Sequence, residues 1–243
     1  MESLARGLSV IRAFGGARRA LSCAEVAVLT GLSRAAARRC LHTLTVLGYV
    51  SASGGTYELT AAVRTLADGA PGPAALATVA QPVLDRLSAR IEEASGVAVL
   101  DGDDVVFLAR ASARRLLSLT VTVGSRLPAA CTSSGRVLLA FGDPAAAARF
   151  IARAALPRHT ARTIVDRKEL RAEIARVRRQ GYAIVDQELE LGLRSLAVPI
   201  RRPDGVVIAA LNVGVQAGRV DVRRLRELLP ALQAAAGEIG SRQ

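Results

Sequence analysis

Only one of the chain's 33 basic residues is a lysine, Lys168. Such a bias follows genome composition as easily as recognition chemistry, so no function is read from it. The three cysteines, Cys23, Cys40 and Cys131, are odd in number and sit in apolar contexts without metal-ligand spacing. That excludes a cysteine-rich zinc module and a disulfide framework, and it suggests buried free thiols in a reducing compartment. Two histidines, His42 and His159, are poor material for a metal cluster. The longest apolar run, Gly205 to Val215, contains Asn212 and falls well short of the ~20 residues that span a bilayer. The amino-terminal residues lack the apolar core and cleavage site of a secretion signal. A soluble, cytoplasmic protein without a membrane partner is expected.

Catalytic signatures are also missing. The chain has no GxSxG elbow, no GxxxxGK[ST] loop, no HExxH pair and no GxGxxG after a strand. Neither a metal nor an organic cofactor is expected, and the primary reading is not an enzyme. Asp186, Glu188 and Glu190 leave one enzymatic alternative, a small-molecule hydrolase with a basic accessory domain. A DNA-binding protein indifferent to ligands is another.

A length of 243 residues suggests two domains. The net charge of +12 invites a polyanionic partner, but it is spread along the chain: residues 1–68 hold 8 basic and 4 acidic side chains, residues 69–243 hold 25 and 17. Placement therefore says more than the total.

The informative placement is Leu32 to Val50, LSRAAARRCLHTLTVLGYV. Ser33 is a candidate N-cap. At the helical period Ala37, Cys40, Leu41, Leu44 and Leu47 fall on one arc, and Arg34, Ala35, Arg38, Arg39 and His42 on the other. No acidic residue occurs between Glu25 and Glu58, so the arginines face an anion or simply solvate a surface. Upstream, Ser22 can cap a helix over Ala24 to Leu29, and Thr30-Gly31-Leu32 supplies a tight turn. That is the helix-turn-helix arrangement, whose second helix enters the DNA major groove. Downstream, Tyr49 to Ala52 and Thr56 to Leu59 flank Ser53-Gly54-Gly55, a hairpin that makes a wing with Gly54 and Gly55 at its tip.

In chain order, Leu4, Leu8, Ile11 and Phe14 mark the inward side of a first helix ending at Gly15-Gly16. A helix over Ala61 to Asp68 leads to Gly69-Ala70-Pro71-Gly72-Pro73. Domain boundaries are set at 1–62 for the winged helix-turn-helix, 63–76 for a linker helix and linker, and 77–243 for the second domain. That domain opens with a helix capped by Thr78, with Pro82 near its first turn. Strands are expected at Val97 to Leu100, Val105 to Ala109 and Leu116 to Val123, then helices at about 136–141, 144–154 and Arg167 to Gln180. Three more strands, Tyr182 to Asp186, Arg194 to Ile200 and Val206 to Val213, precede a helix capped by Asp221 and bent at Pro230. The pattern is α+β with a mostly antiparallel sheet.

Two segments are too polar for the core beside them. In Gly124 to Gly135 (GSRLPAACTSSG), Thr132, Ser133 and Ser134 precede an apolar helix; they form an anion site if the helix starts there, or simply cap it. In Val185 to Pro199 (VDQELELGLRSLAVP), Arg194 and Ser195 enter an apolar strand. A buried guanidinium needs a carboxylate, either Asp186 or Glu188 within the chain or one on a ligand. Asn212 in VVIAALNVGV likewise needs hydrogen bonds.

Taken in order, GLSRAAARRCLHTLTVLGYV, a wing ending in YELT, LPAACTSSGRVLLA and GYAIVDQELELGLRSLAVPI resemble the IclR family of bacterial transcription regulators, from about Leu4 almost to the end of the chain. The wording is most similar to its aromatic-acid, β-ketoadipate-pathway branch. The resemblance implies a GAF-like effector-binding second domain, a double-stranded DNA operator, and a homodimer or a tetramer built from two dimers. It implies a pocket formed by the loop with Gly124, Arg126, Pro128, Ala130, Cys131 and Thr132, by the strand with Arg194 and Ser195, and by Asn212 and Gly214. Asp186 and Glu188 join that set as flanking carboxylates. Many relatives have Cys at Ser195 and Ser at Asn212 and Gly214. The implied effector is a small carboxylate, an aromatic acid or a ring-cleavage dicarboxylate, with its charge met by Arg194 or Arg126.

Overall fold

The computed structural model describes residues 2–14, 20–65, 73–112 and 121–243, in two compact units divided between residues 72 and 73. The first contains α1 (Glu2–Ala13), β1 (Ala20–Ser22), α2 (Cys23–Thr30), α3 (Arg34–Val46), β2 (Val50–Ser53), β3 (Thr56–Leu59) and α4 (Ala62–Thr65). Its core is Val10, Phe14, Val26, Leu41, Leu44 and Val50, contributed by three helices and the first strand of the wing. Ser22 and Glu25 form a complete capping box on α2, and Gly31 closes it in the left-handed conformation with φ 67°. Ser33 accepts from the Ala36 amide to start α3. At the wing tip Gly54 and Gly55 both have positive φ, as a two-residue turn between right-twisted strands requires. Strand β1 was not anticipated. Three residues are too short to show a period in the sequence, yet it pairs antiparallel with β3. The inward arc of α3 also differs at one end: Ala36 is buried and Leu47 is 61% exposed, because the last helical residue is Val46 and Leu47 has left the helix.

The second unit contains α5 (Pro73–Ile91), β4 (Ala94–Asp101), β5 (Asp104–Ala111), β6 (Arg126–Pro128), a single 3₁₀ turn (Ala129–Cys131), α6 (Ser133–Phe141), α7 (Pro144–Arg153), α8 (Arg167–Gln180), β7 (Ala183–Asp186), β8 (Leu193–Arg201), β9 (Val207–Gln216), α9 (Val222–Glu227) and α10 (Leu229–Gly240). The strands form one antiparallel sheet in the order β6-β5-β4-β9-β8-β7. Thr78 is not a cap: α5 starts at Pro73, Thr78 donates to the Ala74 carbonyl inside it, and Pro82 lies mid-helix. Proline at the first helical position and the good helix formers Ala74, Ala75 and Ala77 explain the early start. The expected helix bent at Pro230 is broken into α9 and α10. Of the expected Leu116–Val123 strand, residues 116–120 lie outside the described residues, as do residues 66–68 of the Ala61–Asp68 helix and the breaks at Gly15-Gly16 and residues 69–72.

One sheet face carries Val97, Ala109, Leu196, Leu211 and Val213 against α5 and α10. The other carries Ala98, Phe107, Ala197 and Ala210 under α6, α7 and α8. Two apolar cores therefore sandwich one sheet.

Candidate functional site

In the first unit the exposed face of α3 presents Arg34, Ala35, Arg38, Arg39 and His42, all solvent-exposed. Among the described residues no carboxylate pairs with these arginines. Three uncompensated guanidinium groups along one helix, beside an exposed Gly54-Gly55 tip, form a surface suited to a phosphate backbone and groove. Ser22 and Ser33 differ from the others: their hydroxyls serve as helix caps, and the Ser22 hydroxyl also donates to Glu25 at 2.8 Å.

In the second unit a cavity opens on the sheet face beneath α6. Its floor follows from register. Arg110 on β5 pairs with Gly96 on β4, Gly96 with Asn212 on β9, and Asn212 with Ala197 on β8. Two residues along, Ala94, Gly214, Ser195 and Val185 form a second row. Members of a row share a sheet face. A bulge sets the β5 side: opposite Val97 and Ala98 the register steps from Ala109 to Phe107, leaving Leu108 as the extra residue. Alternation is broken there, so Phe107 and Arg110 emerge on the same face and the guanidinium lies 5.4 Å from the ring centroid. Gly96 makes room for both, since a Cβ on it would stand 3.0 Å from the Phe107 ring and 3.1 Å from Arg110 Cγ.

The roof is the start of α6. Thr132 caps it, accepting from the Gly135 amide and donating to the Pro128 carbonyl. Only glycine fits at position 135, where a Cβ would lie 2.1 Å from the Ala129 oxygen. Ser133 and Ser134 then line the cavity with Cys131 and Thr132, and Val121, Leu127, Leu189 and Leu193 close its apolar sides. Free space is ≈ 570 Å³ counting the open mouth, of which ≈ 50 Å³ admits the centre of a water molecule. It is a thin slot.

Three groups in it lack a polar partner. Burial lowers the pKa of the Arg110 guanidinium from its ordinary value, and among the described residues no carboxylate pairs with it. Ser134 Oγ and Asn212 Oδ1 are buried without a hydrogen bond. Such groups are costly unless something satisfies them. The Cys131 thiol is pushed up to about 11, by burial first and then by the charge of Glu188, so it stays protonated and is no nucleophile.

The structure brings Cys131, Thr132, Ser195, Asn212 and Gly214 to this cavity and takes the other expected residues elsewhere. Arg194 is the main correction. As the neighbour of Ser195 on β8 it points to the opposite face, where its Nε donates to Asp186 at 2.7 Å and Nη1 donates to the Ala217 and Val220 carbonyls. Burial pushes the Asp186 carboxyl up, but the hydrogen bonds from Arg194 and Gln187 and the charges of Arg194 and Arg162 outweigh it and hold its pKa below the ordinary value. Arg126 is exposed on β6 and pairs with Asp101 and Asp104, while its neighbour Leu127 turns inward. Glu188 accepts from the fully buried Arg136 at 2.6 Å and from the Ile164 amide. Gly124 makes a turn with φ 85° and donates to the Phe107 carbonyl. Pro128 and Ala130 contribute carbonyls to Thr132 and Arg136. Arg110, Phe107 and Leu189 were not singled out from sequence. The signal for Arg110 lay in Gly96 and the bulge, and neither is visible in β5 alone.

Among the described residues no helix is long and apolar enough to cross a membrane, and no three His, Cys, Asp or Glu side chains stand together as a metal site.

Residues 3–54 match the IclR helix-turn-helix domain and residues 72–241 match the family described as bacterial transcriptional regulator IclR C-terminal. The chain is 48% identical over 241 residues to the Pca regulon regulatory protein of Pseudomonas putida, covering 98% of this chain and 83% of that protein. It is 37% identical over 245 residues to the p-hydroxybenzoate hydroxylase transcriptional activator of Acinetobacter baylyi, covering 98% and 90%. In three dimensions it is similar to an IclR homolog from Microbacterium hydrocarbonoxydans complexed with 4-hydroxybenzoate, with a TM-score of 0.85, 30% identity and 98% of each chain covered. The chain belongs to the IclR family of bacterial transcription regulators, with a helix-turn-helix unit followed by an effector domain.

Proposed function

We propose that this regulator binds its operator through α3 and the wing, and that a small carboxylate in the cavity under α6 shifts that binding. Arg34, Arg38 and His42 meet base edges and phosphates, Arg39 and Ala35 flank them, and Gly54-Gly55 approaches the backbone. Ligand control operates through a difference in effector affinity between two arrangements of the protein.

The observation that carries the effector reading is Arg110, a half-buried cation with no carboxylate partner among the described residues. A carboxylate on a flat ring slides over the Phe107 side of the slot and pairs with the guanidinium fork. Ser134 Oγ and Asn212 Oδ1 then take polar substituents on the ligand. An aromatic acid fits this arrangement, in keeping with the 4-hydroxybenzoate held by the related structure. A ring-cleavage dicarboxylate is the second reading, supported by the amino terminus of α6 and the unpartnered Ser134 hydroxyl as a site for a second anion. No bond-making step is involved.

The protein acts as a cytoplasmic homodimer on paired half-sites, with tetramers formed from two such dimers. Leu4 and Leu8 on α1 are exposed and border an apolar groove of ≈ 650 Å³ against α3, a face suited to a second copy. Titration calorimetry with 4-hydroxybenzoate, protocatechuate and an open-chain dicarboxylate such as muconate tests the effector assignment. Saturable heat that disappears in Arg110→Met supports it. Unchanged heat in that variant, or turnover of the compound, sinks it.

A further inference from the structure

The second unit's positive charge is concentrated in one stretch of the sequence. Residues 144–180 hold 10 basic and 3 acidic side chains, net +7, whereas residues 73–243 as a whole hold 25 and 17, net +8. Nearly all of the excess therefore belongs to α7, α8 and the segment joining them, and part of it is met from outside: Arg153 pairs with Asp103 at 2.9 Å and Arg162 with Asp186 at 2.7 Å. Between these two helices runs a groove of ≈ 380 Å³ lined by the buried Ala147, Ile151 and Ile174, by the exposed Ala148 and Ala175, and by Arg171, Arg178 and Arg179.

Two of the three acids in this segment are already engaged. Asp166 caps α8. Glu173 sits between Arg136 and Arg176. Glu169 lies in the first turn of α8. On the α7 side, Asp143 caps that helix and reaches Arg149 at 3.6 Å. Arg178 holds the Ala140 carbonyl through Nε while remaining exposed. Arg171 and Arg179 are exposed with no carboxylate partner among the described residues.

We propose that this face docks an acidic amphipathic helix of a partner protein. The cleft has the form that receives the apolar ridge of a helix, and free guanidinium groups on its edge complement carboxylates flanking such a ridge. A second copy of this chain would set the same unpaired Arg171 and Arg179 against each other and is disfavoured by that repulsion. A nucleic-acid backbone needs charge but has no use for a groove lined by methyl groups. The face lies on helices outside the effector cavity and outside the DNA-binding unit, so it gives a DNA-bound regulator an additional contact, and it does not depend on the effector assignment.

The test uses the full chain and a labelled synthetic helical peptide of about eighteen residues, five turns, with leucines along one face and glutamates elsewhere. A peptide of the same composition in scrambled order is the control. Fluorescence anisotropy near physiological salt is expected to show saturable binding of the amphipathic peptide only. Arg171→Glu with Arg179→Glu weakens it about tenfold or more. Ala175→Arg, which adds charge but obstructs the groove, also weakens it. All variants keep operator affinity and thermal midpoint. The proposal is overturned by absent binding, by equal binding of the scrambled peptide, or by tighter binding to Ala175→Arg, which would mark simple polyanion attraction. A loss of duplex-DNA affinity in the double variant as large as its loss of peptide affinity would assign the face to nucleic acid instead.

Discussion

Arg110 and Asn212 stand on either side of Gly96, each paired with that glycine across an adjoining strand. Both side chains leave the same face of the sheet, two strand spacings or roughly 10 Å apart at the backbone. One brings a cation and the other an acceptor without a donor. A slot with unlike polar groups at its two ends selects a ligand that is itself polar at both ends.

Gly96 keeps that slot open. In Gly96→Ala the new methyl meets the Phe107 ring and Arg110 Cγ at contact distances that force them aside. Thermal unfolding should show a loss of about 1 kcal/mol, at the mild end of overpacking. Calorimetry should show an effector affinity reduced several-fold, because the displaced pair is the binding wall.

Arg136 joins α6, α8 and the segment after β7 from a fully buried position, with Glu188 at 2.6 Å and Glu173 at 3.5 Å. Arg136→Met leaves a buried carboxylate unpaired, so denaturant unfolding should register a loss of about 3–5 kcal/mol. Replacing Glu188 by Met in the same chain should recover part of it. If the double variant is as unstable as the single one, the ion pair is not the source of the cost.

On α3, Arg38→Ala should weaken operator binding by about 1–3 kcal/mol if the side chain reads a base. If it meets a phosphate, the salt dependence should fall by about one unit of slope. Unfolding should be unchanged, because Arg38 is exposed and unpaired. Unchanged operator affinity would move the recognition surface off this helix.

Asp186 carries a pH signature. Its carboxyl titrates below the ordinary 3.8 in the folded chain, because the bonds from Arg194 and Gln187 outweigh burial. A depressed folded value means stability that is fully present above about pH 4 and is lost as pH falls through the folded value. Melting temperature followed from about pH 5 downwards should fall less steeply in Asp186→Asn than in the unmodified chain. Parallel curves would contradict the pairing.

Much of the fold was legible because its elements carry strong periodic signals. The opposed faces of α3, the glycine-tipped wing and α8 between Asp166 and Gly181 follow directly from spacing and caps. The cavity was legible only in part. Ser195 and Asn212 stood out as polar residues in apolar strands, but alternation forbids Arg194 and Ser195 from facing the same space, and the adjacent Asp186 claims the arginine. Arg110 was hidden for a different reason. In DVVFLARA it reads as an outward residue of a half-buried strand, and only the bulge at Leu108 returns it to the Phe107 side. Long-range register carries that information, and no local window contains it.

The most direct test of effector control is operator affinity measured by anisotropy with and without 4-hydroxybenzoate, protocatechuate or muconate, in the unmodified chain and in Arg110→Met. Losing one charge-assisted pair costs about 1.5–3 kcal/mol. One of these carboxylates is expected to shift the operator dissociation constant of the unmodified chain. Arg110→Met should bind the operator equally well without ligand and need about ten- to a hundredfold more of it to respond. A variant that responds at the same ligand concentration as the unmodified chain would rule out Arg110 as the ligand's counter-charge.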